Sequence, residues 1–249
     1  MTPRPPAAAV LLTWIALPVY VWQGLGVRRR TRRMAPPANP GHVGHAGAGE
    51  PLRLLIVGDS SAAGVGVEAI EQSFAGHLPA MLHAITGRPV TARIAGMNSA
   101  TAAHIRDHVV PHIEPRDFHY IALNIGTNDA KNFHSGRRFK RDFGTLLYTL
   151  KARFPAATII WSGVLDMKDM PALPFPLNRI LGVRSRLIDH VGRVLCQERG
   201  ALAPAPEWRP LAGNFSADGF HASQDGYREW AANLARYIAG LEAGDAPPG

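Results

Sequence analysis

The sequence predicts an α/β protein in which a parallel sheet is covered on both faces by helices. Three observations carry that expectation. The 249 residues, 46% hydrophobic and 18% charged, can bury a sizeable core and exclude a wholly disordered chain or a polytopic membrane protein. Short, continuous apolar runs bounded by turn residues recur along the chain, as buried parallel strands do. Those runs alternate with amphipathic stretches of helical length, which implies right-handed crossovers.

Leu54-Leu55-Ile56-Val57 ends at Gly58-Asp59-Ser60-Ser61 and reads as the first strand. A helix follows over Glu71 to Thr86, stopped by Gly87-Arg88-Pro89. Val90 to Ala95 is a second strand and Thr101 to Ile113 a second helix. Tyr120 to Ile125 is a third strand, ended by Gly126-Thr127-Asn128-Asp129. A helix over Phe139 to Phe154 stops at Pro155, and Thr158 to Val164 is a fourth strand. A Pro-rich loop, Met170 to Pro176, leads into a helix over about Asn178 to Arg199. A short fifth strand is placed near Ala201-Leu202, and a last helix over Ser223 to Leu241.

Ahead of this body, Ala7 to Val27 is an apolar run without a charge, followed by Arg28-Arg29-Arg30-Thr31-Arg32-Arg33. Its length would cross a hydrocarbon core as a helix of ~20 residues. Pro18 would kink it, and Trp14, Tyr20 and Trp22 are of the kind that anchors at an interface. The charge follows the apolar run and no convincing cleavage site is present, so a cleaved leader is disfavoured. If the segment spans, the arginines place the domain on the cytoplasmic side. The alternative is a helix lying on the membrane or packed on the domain. Residues 1–33 are thus expected to be an N-terminal apolar helix that contacts a membrane through residues 7–33, and 34–50 a Pro/Gly-rich linker. Residues 51–242 are the folded domain and 243–249 a disordered tail.

The formal charge of +8 arises mostly at that N-terminus. Six arginines and no acid precede residue 34; the rest carries 21 basic against 19 acidic residues. A nucleic-acid partner is therefore not expected. One cysteine, Cys196, excludes an intrachain disulfide and reads as a buried apolar side chain.

Ligands of such sheets bind beyond the carboxyl ends of the strands, and three small polar turns fall there, at Gly58-Asp59-Ser60-Ser61, Gly96-Met97-Asn98-Ser99 and Gly126-Thr127-Asn128-Asp129. No lysine lies between Leu52 and Lys131, so there is no Walker loop, and Gly64-Val65-Gly66 is not continued as a dinucleotide fingerprint. Ser60 or Ser61 could be a helix cap or a nucleophile. An acylating serine needs a base and an acid to orient it, which Asp218-Gly219-Phe220-His221 supplies within one turn. Gly96 N–H, the Asn128 amide and Ser60 N–H could form an oxyanion hole. Each of these also has an ordinary turn role.

Taken together, Gly58-Asp59-Ser60-Ser61, Gly96, Gly126-Thr127-Asn128-Asp129 and Asp218-Gly219-Phe220-His221 stand in the order of the four blocks of the SGNH (GDSL-type) hydrolases. The sequence resembles that family over about Leu52 to Leu241, and a bacterial esterase/lipase-like subgroup in Gly58 to Val67, Pro171 to Leu177 and Gly226 to Ala231. The resemblance implies a three-layer α/β/α, flavodoxin-like parallel five-stranded sheet and an esterase or acylhydrolase working without metal or cofactor. It implies catalytic Ser60, Asp218 and His221, with an oxyanion hole from Ser60, Gly96 and Asn128. Ala222 stands where many members have proline after the histidine, and Ser61 would cap the following helix. The alternatives are a non-catalytic membrane-tethered binding domain of the same fold, or an acyltransferase or deacetylase on a sugar or lipid.

Apolar residues of the Pro-rich loop, Met170, Leu173 and Phe175, are expected to wall the substrate site, favouring a small-molecule or lipid-like ester. His104, His108 and His112 recur every four residues but lack companion ligands, so no metal is expected. Arg137-Arg138 with Lys140-Arg141 reads as a solvated helix start or as a lure for an anionic substrate. The expected location is the inner membrane with a cytoplasmic catalytic domain; periplasmic or soluble cytoplasmic placements are the alternatives.

Overall fold

The computed structural model describes residues 3–31, 34–205 and 211–245. Its core is a five-stranded sheet of order β1-β3-β2-β4-β5, with β1 His42–His45, β2 Leu52–Gly58, β3 Val90–Gly96, β4 Tyr120–Asn124 and β5 Thr158–Trp161. Strands β2 to β5 are parallel, while β1 pairs antiparallel with β3. The sheet is therefore mixed, which corrects the expectation of a parallel one. Its fifth strand comes from the supposed linker, and Leu202 contributes only an isolated bridge to Ile160. His42-Val43-Gly44-His45 has no apolar run to announce a strand. An edge strand of four residues needs only a neighbour with free backbone groups.

Period-2 alternation splits the core into two layers. Leu55, Val57, Ile121, Leu123, Ile159 and Trp161 point to the face covered by α6 (Gly136–Arg153) and α7 (Leu177–Arg199). Leu54, Ile56, Ala92, Ile94, Ala122 and Ile160 point to the face covered by α3 (Phe74–Thr86) and α8 (Gln224–Ala243). This is the three-layer arrangement expected. Side-chain caps start the helices: Ser73 accepts from Ala75 and Gly76 N–H, Ser135 from Arg138 N–H, and Ser223 from Gly226 N–H. The expected helix over 101–113 is broken into α4 (Ala102–His104), a π turn (Ile105–Val109) and a 3₁₀ turn (Val110–His112) ahead of Ile113. Pro111 cannot donate to a regular α turn there. Helix α8 runs to Ala243, one residue into the expected tail; residues 246–249, like Arg32 and Arg33, lie outside the described residues.

The apolar N-terminus is a bent pair of helices, α1 (Ala7–Ile15) and α2 (Leu17–Arg30). Among the described residues no single helix is long and apolar enough to cross a membrane. The pair, bent by 65°, passes that test only together. It packs on the domain: Trp14 and Tyr20 meet the Phe133 ring at 5.6 and 4.4 Å, and the Tyr20 hydroxyl donates to the Lys131 carbonyl at 2.6 Å. Gln23 donates to the Phe175 carbonyl and accepts from Leu177 N–H. Beneath them lies the buried Arg184 guanidinium, 5.0 Å from the Trp14 ring and 4.9 Å from that of Phe133.

Candidate active site

The sheet register brings three strand ends level. Gly58 is opposite both Gly96 and Asn124, and because β3 and β4 lie on opposite sides of β2, the chain reverses its direction of travel across the sheet here. Ser60 leaves β2, and α5 (Thr127–Lys131), carrying Asn128, leaves β4. Opposite them stands the turn preceding α8, which holds His221.

Ser60, Asn128 and His221 line one cavity of about 410 Å³. His221 Nδ1 lies 2.5 Å from Asp218 Oδ2. The other carboxylate oxygen accepts from Ser216 Oγ, Phe220 N–H and His221 N–H at 2.8–2.9 Å. Burial alone would raise the Asp218 pKa, but these donors hold the carboxyl well below the usual range. The turn itself closes through Ser216 N–H to the His221 carbonyl and Gly219 N–H to the Ser216 carbonyl. Every bond fixing Asp218 and His221 thus lies within residues 216–221, so the pair is set by local chemistry.

Asp59 is a neighbour in the cavity wall that sequence reasoning missed. Its Oδ1 accepts from Ser61 N–H and Ser61 Oγ, and its Oδ2 accepts from the Asn128 side-chain amide at 3.4 Å. Burial raises its pKa. Asp59 therefore ties the serine turn to the Asn128 amide. Ser61 is bonded to Asp59, and no regular helix follows it directly, which corrects its expected role as a helix cap. Gly96 is not among the cavity residues; it closes β3 against the serine turn, where a Cβ would sit 2.3 Å from Ala63 N. Gly66, at φ +115°, approaches from the other side: a Cβ there would lie 2.3 Å from the Ala222 carbonyl.

Of the three loop residues expected at the substrate site, Met170 lines the cavity. Leu173 is buried in the core, and Phe175 is 76% exposed; neither lines it. The loop instead supports the histidine turn, Ala172 N–H donating to the Gly219 carbonyl at 3.0 Å. The cavity lining also carries charge. There Arg186 pairs with Asp166 at 2.7 Å and Arg193 with Asp189 at 2.8 Å. The Asp189–Arg193 spacing on α7 was readable as a helical ion pair, but its facing the cavity was not.

The basic cluster at 137–141 faces elsewhere. Arg138 and Arg141 pair with Asp142, and Lys140 with Glu198. Among the described residues no three His, Cys, Asp or Glu side chains converge as a metal would require. Cys196 is buried, its thiol pushed up to about 12 by burial.

Comparisons with known proteins agree with this fold. The chain is similar in structure to a family 3 carbohydrate esterase of Clostridium thermocellum (17% identity, TM-score 0.62, 79% of this chain and 100% of that one). A carbohydrate acetylesterase of Sinorhizobium meliloti (16%, 0.57, 76% and 99%) and a lipase/acylhydrolase of Enterococcus faecalis (19%, 0.55, 76% and 96%) are similar too. At such identities the likeness establishes the fold. No curated protein matches the chain by sequence. The description "GDSL-like Lipase/Acylhydrolase family", however, matches residues 56–229. With that span covering the serine turn, the Asn128 block and the histidine turn, the chain belongs to the GDSL-like lipase/acylhydrolase family.

Proposed function

We propose that the protein is a serine carboxylic ester hydrolase with Ser60 as nucleophile, His221 as base and Asp218 as the group that orients it. The observation that carries this reading is one cavity lined by Ser60, Asn128 and a histidine whose Nδ1 is already engaged by a carboxylate. Engaging Nδ1 leaves Nε2 free to take a proton. Ser60 Oγ attacks the ester carbonyl and loses its proton to His221, and the oxyanion is held by the Ser60 N–H and the Asn128 amide, both at the cavity. Collapse expels the alkoxide, which takes the proton from His221. A water, deprotonated by His221, then releases the acid from the acyl-enzyme. None of these steps calls on a metal or cofactor.

A cavity of about 410 Å³, apolar at Val164, Met170 and Phe220 and charged at Arg186 and Arg193, suits a short acyl group on a polar alcohol. Ser60→Ala should abolish turnover of p-nitrophenyl acetate and labelling by a fluorophosphonate while leaving the melting temperature within about 1 °C. Undiminished turnover would sink the assignment.

We further propose that the protein sits at the cytoplasmic face of an inner membrane. Leu11, Leu12, Ile15, Trp22 and Leu25 are exposed on the α1–α2 pair, which ends in the exposed Arg28, Arg29 and Arg30, a combination suited to an anionic bilayer. Full-length protein should float with phosphatidylglycerol vesicles. A periplasmic readout from a C-terminal reporter fusion would overturn the placement.

A further inference from the structure

Asn128 sits in the five-residue helix α5, which is too short to hold its own place without tertiary contacts. The last four carbonyls of a helix need partners from beyond it. The turn that follows α5 supplies three. Asn132 N–H donates to the Asn128 carbonyl at 2.9 Å, His134 N–H to that of Asp129 at 3.0 Å, and Phe133 N–H to that of Ala130 at 3.1 Å. The fourth, on Lys131, accepts from the Tyr20 hydroxyl of α2 at 2.6 Å. A residue 111 positions away in the chain completes the end of the helix.

The turn itself is strained. Phe133 has φ +56°, a left-handed conformation that costs a bulky residue about 1–3 kcal/mol and persists only where the surroundings impose it. Its buried ring is held by the Tyr20 ring at 4.4 Å and the Trp14 ring at 5.6 Å. The Arg184 guanidinium, stacked against both Trp14 and Phe133, donates to the His134 carbonyl at 2.5 Å. His134 Nδ1 in turn lies 2.9 Å from the carboxylate of Asp129, the residue after Asn128. Both N-terminal helices therefore bear on residues 127–134, α1 through Trp14 and α2 through Tyr20.

We infer that Tyr20 and Trp14 are positioning residues for Asn128, so that the N-terminal helix pair is part of the framework of the site. Tyr20 closes the end of α5, and the two rings hold Phe133 in the conformation that ends the helix there. Asn128 is thereby presented to the cavity it lines. The catalytic consequence rests on the hydrolase reading, in which Asn128 serves the oxyanion; the mechanical link rests on the contacts of Tyr20, Trp14 and Phe133.

Tyr20→Phe keeps the ring against Phe133 and deletes the hydroxyl alone. In full-length protein it should lower kcat for p-nitrophenyl acetate about fivefold, the equivalent of one hydrogen bond, with KM unchanged. In an Asn128→Ala background the same substitution should have no further effect on kcat, because the residue it acts through is gone. Equal losses in the two backgrounds, as a general loosening of the fold would produce, would overturn the inference. Amide hydrogen exchange needs no turnover: the Asn132, Phe133 and His134 amides should exchange about fivefold faster in Tyr20→Phe, with β2 and β4 unchanged. Unaltered exchange at those three amides would overturn the link as well. If they exchange faster in the variant but the wild type hydrolyses no ester, the positioning link stands and the hydrolase reading fails.

Discussion

Asp218 holds His221 by both ends: one carboxylate oxygen lies 2.5 Å from the ring Nδ1, and the other accepts the His221 backbone N–H at 2.9 Å. The first contact fixes the tautomer and the second fixes the residue that carries the ring. Asp218→Asn keeps the shape but presents an amide to Nδ1. It should lower kcat by about 10³–10⁴ with little change in KM, measured on p-nitrophenyl acetate.

The same carboxylate makes stability depend on acid. Its folded pKa is depressed, so its contribution is present above the unfolded value of about 3.9 and is lost as pH falls towards the folded one. The difference in melting temperature between wild type and Asp218→Asn should be largest above about pH 5 and narrow steadily between pH 4 and pH 2. A difference independent of pH would contradict the depressed pKa.

Asp59 joins the serine turn to the Asn128 amide, so its removal should cost both stability and rate. Asp59→Ala leaves Ser61 N–H and the Asn128 amide without their acceptor, at about 1–3 kcal/mol of unfolding free energy. Urea titration measures that loss. Asn128→Ala should spare stability more and reduce kcat by about 10²–10³.

Gly96 permits the close approach of β3 to the serine turn. A Cβ 2.3 Å from Ala63 N must displace backbone rather than a flexible side-chain end. Gly96→Ala should destabilise the domain by about 1–3 kcal/mol and lower kcat more than Gly213→Ala, where a Cβ meets nothing within 4 Å.

Gln23 is the bidentate link from α2 to the loop that supports the histidine turn. Gln23→Ala removes two hydrogen bonds, to Phe175 and from Leu177, worth about 1 kcal/mol each. Amide hydrogen exchange in residues 17–30 should accelerate, with the core strands unchanged.

The sequence was legible wherever the deciding interaction is local. Strand β2 is a run of apolar residues, the helix caps at Ser73, Ser135 and Ser223 sit beside the groups they satisfy, and the Asp218–His221 pair is closed by bonds within six residues. Edge strand β1 was not legible, because His42–His45 takes its strand character from β3 and not from its own side chains. Phe175 and Met170 look alike as apolar loop residues. Which of them enters the cavity depended on how the loop folded over Leu173 and which carbonyl Gln23 caught.

Thus the sequence by itself determined the alternation of strands and helices, the three polar strand ends and the local geometry of the histidine turn. All of these follow from side-chain periodicity and short-range hydrogen bonding. Only the tertiary structure decided that Asp59 would bridge Ser61 to Asn128 and that the Asp166–Arg186 and Asp189–Arg193 pairs would line the cavity. Asn128 lies 69 residues from Asp59, and Arg186 lies 20 residues from Asp166. They meet because the sheet order β1-β3-β2-β4-β5 brings their elements together, and no short-range pattern encodes that meeting.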